Sequence, residues 1–155
     1  MLSCTVDLDF FRGAAAKTVN TIQVGVLTAA RKAALEAAAH AKKSGRFHDR
    51  TGNLRDRIYA KYQSGTADRA VWSVISPAGY SKFVELGTKD HFIRPKNKLA
   101  LMWFGSGGEK VFSHIVHHPG TLKDPFLFPA LIKAKTVLWL EIDSVMNKVS
   151  KIWQM

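Results

Sequence analysis

Ser76-Pro77-Ala78-Gly79-Tyr80-Ser81-Lys82-Phe83-Val84-Glu85-Leu86-Gly87-Thr88 is the stretch on which the fold turns. Pro77 and Gly79 end whatever precedes them. Tyr80, Phe83, Val84 and Leu86 recur at helical spacing. Gly87 stands where a helix C-cap wants a residue that tolerates positive φ. A short aromatic helix closed by Gly87 is therefore expected. The runs on either side, 69–75 and 98–104, read as strands. Set between them, the helix is expected to pack on a sheet and to serve as the pivot of the fold.

Working outward toward the N-terminus, 69–76 places Trp72 and Val74 on one face. It forms a hairpin with 57–63, where Ile58, Ala60 and Tyr62 alternate against Tyr59, Lys61 and Gln63. The turn falls at 64–68. Residues 51–56 form a capped turn with Thr51 or Asn53 as N-cap, and 46–50 is a basic loop. Residues 13–43 are rich in alanine, the best helix former. Val19, Ile22, Val26, Ala30, Ala33 and Ala37 share one face of that helix, and Lys42-Lys43-Ser44-Gly45 stops it. Before it, 6–10 alternates apolar and acidic residues, as a short strand or the lead-in to the helix.

Toward the C-terminus, 89–97 reads as a loop. A second hairpin, 98–104 with 110–116, turns at Gly105-Ser106-Gly107-Gly108. A turn-rich crossing, 117–125, follows. Pro125 and Pro129 suit a helix starting near Phe126, and 131–153 is the closing helix. In it Leu138, Ile142, Val145, Val149 and Ile152 make a stripe that Trp139, Met146 and Trp153 widen. The predicted class is α+β: one antiparallel sheet of two hairpins packed against a long N-terminal and a long C-terminal helix, with a short helix between the hairpins. All of 1–155 is expected to form a single domain.

Composition narrows the function. With 155 residues, 46% apolar and 23% charged, the chain is long enough for a real core. The lone Cys4 forms no internal disulfide. The N-terminus lacks the layout of a signal peptide, and no apolar run reaches membrane-spanning length. A net charge of +11 points to an acidic partner, nucleic acid or protein. The clearest cationic run is Lys42, Lys43, Arg46, Arg50, Arg55 and Arg57, interleaved with Phe47 and Tyr59, since aromatics among arginines can stack bases.

Catalytic patterns are not met. His91, His114, His117 and His118 lack further ligands at metal spacing. The glycines at 105–108 precede a strand, not the helix of a phosphate loop. Ser73, Ser81 and Ser113 lack the elbow of an activated nucleophile, and the carboxylates are scattered. No enzyme activity, metal or cofactor is expected. Trp103, Phe104 and Phe112 exceed what a small sheet with one buried face needs, which makes the second hairpin a candidate subunit interface.

Four motifs in order resemble the minor tail-component family of long-tailed bacteriophages, the tail completion or neck proteins at the head–tail joint. They are Arg50-Thr51-Gly52-Asn53-Leu54-Arg55; Tyr80 to Thr88; His118-Pro119-Gly120-Thr121; and Pro125-Phe126-Leu127-Phe128-Pro129-Ala130-Leu131. Residues 93–101 match the longer form of the family. Leu86 stands where the family usually has an aromatic, and Lys82-Phe83 replaces a commoner small-then-tyrosine pair. The resemblance implies a structural virion protein of the neck without catalysis. It would complete the tail or join it to the head as part of a ring, most simply a hexamer, through which DNA passes. Its partners would be head-closure or connector proteins and tail-terminator or tail-tube proteins, with no membrane. The motif residues Gly52, Phe83, Gly87, Pro119, Gly120, Pro125, Phe126 and Pro129 would carry the fold, glycines in turns and Phe83 and Phe126 in packing. The competing reading is a nucleic-acid-binding accessory protein that uses its basic surface.

Overall fold

A computed structural model describes residues 8–49, 51–66 and 69–154. The order is α1 (Leu8–Lys43), β1 (Tyr59–Thr66), β2 (Arg69–Ile75), α2 (Ser81–Leu86), β3 (His91–Ile93), β4 (Leu101–Phe104), β5 (Lys110–Ser113), β6 (Val116–His118) and α3 (Leu127–Ile152). The α+β class holds: two long helices, antiparallel hairpins and a short helix between them. The expected single sheet is instead three two-stranded ladders, β1–β2, β3–β6 and β4–β5. Two compact units result, Met1–Ala78 with Phe126–Met155, and Gly79–Pro125.

The first unit packs α1 against α3 and lays the β1–β2 hairpin on α1. Alanine makes close approach possible: Ala29, Ala33, Ala34, Ala37, Ala38 and Ala41 are all buried. Gly25 continues this seam, because a Cβ there would lie 2.5 Å from a Val145 methyl carbon of α3. The expected α1 face is corrected at its start. Val19 and Ile22 are exposed, lying more than a turn before Leu27, where the groove against β1–β2 begins. Helix α1 also starts earlier than expected, so 8–10 are helical rather than strand.

In α3, Leu138, Ile142, Val145, Val149 and Ile152 face inward as the periodicity demands. Trp139 and Met146 do not join them and are exposed, whereas Trp153, also exposed, still reaches α1, its indole N–H donating to Thr18 Oγ1 at 3.0 Å and its ring lying 6.4 Å from that of Phe11. Pro129 sits in the first turn, where its missing N–H costs no helical bond. The largest fully buried side chains are Phe126, Leu54 and Ile58, gathered near the end of α1 and the start of α3. Lys32 of α1 pairs with Glu141 of α3, which raises the Lys32 pKa, first through the hydrogen bond and then through the charge.

The second unit is built otherwise. No residue from Gly79 to Pro125 is buried. Helix α2 buries nothing, with Phe83 and Leu86 exposed, so it is not the pivot of the core and Phe83 does not pack there. Six residues are too few to hold a place without tertiary packing. Backbone bonds hold this stretch instead. Thr88 and Thr121 exchange N–H···O bonds of 2.9 and 3.1 Å, and the Asp124 N–H donates to the Val84 carbonyl at 2.9 Å. Gly87 does take positive φ (73°), as expected. Its ψ of 179° is extended rather than left-handed helical, so the chain leaves α2 straight into the bridge. Gly120 mirrors it with φ 85°. A Cβ on Gly87 would lie 2.6 Å from the Thr121 carbonyl oxygen, and one on Gly120 would strike that of Thr88.

Candidate functional site

The cationic run lies around the corner after α1. The last carbonyls of a helix lack intrahelical donors, and Arg55 supplies one to Lys42 near the end of α1 and more to the loop that follows. Its guanidinium donates to the carbonyls of Lys42, Ser44, Gly45 and Phe47 and lies 4.3 Å over the Phe47 ring. Phe47 in turn meets Phe126 edge-on at 5.4 Å. Arg55 is thus a strut of the corner, not an outward contact. The turn 51–57 that presents it is held by Asp49, whose Oδ2 accepts the N–H groups of Leu54 and Arg55 at 3.0 and 2.8 Å. The expected caps do less: Thr51 Oγ1 accepts only the Asn53 N–H, at 3.3 Å. Gly52 takes φ 70° at the head of this turn, with Asp56 N–H donating back to its carbonyl.

The other cations divide. Lys42 Nζ reaches the Asp56 carbonyl and Arg57 reaches Asn53 Oδ1, both at 3.3 Å, yet both side chains belong to exposed residues. Lys43 and Arg46 are exposed on the same corner. Arg50 lies outside the described residues. Among the described residues, the outward positive charge of the corner therefore rests on Lys42, Lys43, Arg46 and Arg57.

The second surface is the β4–β5 hairpin. Its register pairs Met102 with Phe112 and Phe104 with Lys110, and Leu101 with Ser113 and Trp103 with Val111. Directly opposed residues share a face and neighbours alternate. Phe104 and Phe112 thus stand on one face and Trp103 on the other, dividing the three aromatics that sequence placed together. All three are exposed. A third exposed apolar row runs along α3 at every seventh residue: Ile132, Trp139 and Met146.

The histidines serve the backbone and one another. His91 and His118 stack across the β3–β6 ladder at 5.1 Å. His91 Nδ1 lies 2.9 Å from the Lys89 carbonyl, His114 Nδ1 lies 2.7 Å from that of Leu99, and His118 Nδ1 accepts the Gly120 N–H at 3.0 Å. Among the described residues, no three His, Cys, Asp or Glu side chains converge. Sequence reasoning missed this ladder because strands of three residues leave no readable alternation. No helix among the described residues is long and apolar enough to cross a membrane.

The described residues form an α+β fold that carries exposed apolar faces on the β4–β5 hairpin and on α3. Residues 14–87 match the family model described as "Bacteriophage HK97-gp10, putative tail-component". The match covers just under half of the chain, and over that part the chain is similar to a phage tail-component family. No curated protein and no solved structure matches the chain.

Proposed function

We propose that the protein is a neck component, set at the head–tail joint as a ring of identical copies, most simply a hexamer, through which DNA passes. The carrying observation is the tail-component match over 14–87. The surfaces support the reading. A ring of identical copies needs two different complementary faces on each, and the chain carries separate exposed apolar faces on β4–β5 and on α3. Trp103, Phe104 and Phe112 are assigned to contacts with neighbouring chains, and the α3 row to contacts between copies. Lys42, Lys43, Arg46 and Arg57 face the passing DNA or an acidic neighbour. Head-closure or connector proteins lie on one side of the ring and tail-terminator or tail-tube proteins on the other.

Deleting the gene tests this. Filled heads and separate tails that fail to join are expected, with joining restored by the added protein. Intact, infectious particles from the deletion would overturn the proposal. The net charge of +11 favours the second reading, a nucleic-acid-binding accessory protein. Such a protein binds free duplex DNA with affinity falling steeply as salt rises, and it is not retained in purified particles.

A further inference from the structure

The two faces of the β4–β5 hairpin are unlike. Leu101, Val111 and Ser113 are partly buried beside Trp103. The opposite face holds Met102, Phe104, Lys110 and Phe112, with the three apolar residues 50%, 63% and 65% exposed. An antiparallel ladder with one packed face normally turns polar side chains to water on the other. Here three of the four outward positions are large and apolar, which is the pattern of a face that another chain covers.

Beside that face lies a groove of about 520 Å³, with Pro95, Leu101, Met102 and Phe112 among its apolar lining and Lys96, Lys98 and Lys110 as its charges. No acidic residue lines it. The neighbouring Glu109 is turned onto the tip, its carboxylate against Gly105 and Gly107. We propose that this groove receives a short acidic segment bearing apolar side chains, contributed by a different protein of the tail. Its carboxylates meet Lys96, Lys98 and Lys110, and its apolar side chains cover Met102, Phe104 and Phe112. The inference rests on the neck reading and gives that reading a partner of defined chemistry.

Charge complementarity selects this occupant. A second copy is a poor match, since the chain carries +11 and its acidic–apolar runs are taken up by the long helices, 6–10 entering α1 from Leu8 onward and 140–143 lying within α3. DNA phosphates would satisfy the lysines and leave three large apolar side chains in water.

The test is photo-crosslinking in assembled particles, with p-benzoylphenylalanine at the position of Phe112 and the joined peptide read by mass spectrometry. A crosslink to one segment of another virion protein, richer in Asp and Glu than in Lys and Arg, is expected. Its yield should fall about tenfold when Lys96→Glu, Lys98→Glu and Lys110→Glu are combined. Circular dichroism shows whether that variant keeps its fold, and the identity of the crosslinked segment decides the matter in the unaltered lysine background as well. A crosslink to another copy, to DNA or to a neutral or basic segment, the absence of any crosslink, or an unchanged yield in the folded triple variant would overturn the inference. Absence of the protein from the head–tail joint overturns the neck reading whichever segment is found; a wrong segment at the joint overturns only this inference.

Discussion

The two units of the chain reach order by opposite means. In Met1–Ala78 with Phe126–Met155, side chains do the work: an alanine seam brings two helices together and Phe126, Leu54 and Ile58 are sealed from water. In Gly79–Pro125 no side chain is buried. Paired backbone segments and glycines at positive φ give that unit its form. Hydrophobic burial is the dominant favourable contribution to folding, so a 47-residue unit in which it is only partial has few means of stabilising itself. Its exposed Phe92, Met102, Phe104 and Phe112 are the side chains from which a core is made. The difference teaches that the first unit is held by its own side chains, while in the proposed reading the second is a surface that neighbours complete.

Breaking the scaffold should have the largest effect. Phe126→Ala empties a fully buried site and is expected to cost about 3–5 kcal/mol in urea unfolding. A loss under about 1 kcal/mol would mean that the side chains at the end of α1 are not the core. Arg55→Ala comes next, removing the donors of four carbonyls and the contact with Phe47. A loss of about 3 kcal/mol is expected. Arg55→Lys should recover little of it, because an ammonium lacks the planar fork that serves several carbonyls at once.

The glycine pair sharpens the contrast between units. Gly87→Val or Gly120→Val places a branched Cβ at positive φ and against the opposing backbone. A cost of about 1–3 kcal/mol is expected, confined to the second unit. Amide exchange at Thr88 and Thr121 should quicken while α1 and α3 keep their protection. Equal loss across both units would show that they do not open separately. The smallest effect belongs to Lys32 and Glu141. The Lys32 pKa is raised above 10.5 in the folded chain. Its contribution is therefore complete below that value and lost as pH climbs through the raised one. The unfolding midpoint should fall on raising the pH past about 10.5, and the part of that fall due to this pair should vanish in Glu141→Gln.

Legibility in the sequence followed side-chain periodicity. Helix α3 was readable because Leu138 to Ile152 repeat at three and four, and β4–β5 because a glycine run parts two apolar stretches. The positive φ of Gly87 was readable from its place after a helical run. What stayed hidden was decided by backbone or by distant partners. Whether ladders join into one sheet depends on edges that no local pattern encodes. Arg55 looked like its neighbours in a basic run, since a guanidinium reaching back over the carbonyls after α1 leaves no spacing signature. Asp49 was missed for the same reason: it caps a turn from five residues upstream. Two motifs seen separately, around Gly87 and around Gly120, prove to be the two sides of one bridge, each glycine making room for the other's backbone. The packing role that the family resemblance implies for Phe83 is not met, since Phe83 stands exposed.

Hydrogen–deuterium exchange on the free chain and on the chain within assembled particles tests the scaffold-and-surface account most directly. Protection of α1 and β1–β2 should change little between the two states, and α3 should gain protection only along the outer row that meets another copy. Residues 101–113 should exchange fast in the free chain and gain strong protection in the particle. Equal protection of 101–113 in the two states would contradict the account, because the second unit would then owe its order to itself and not to its neighbours.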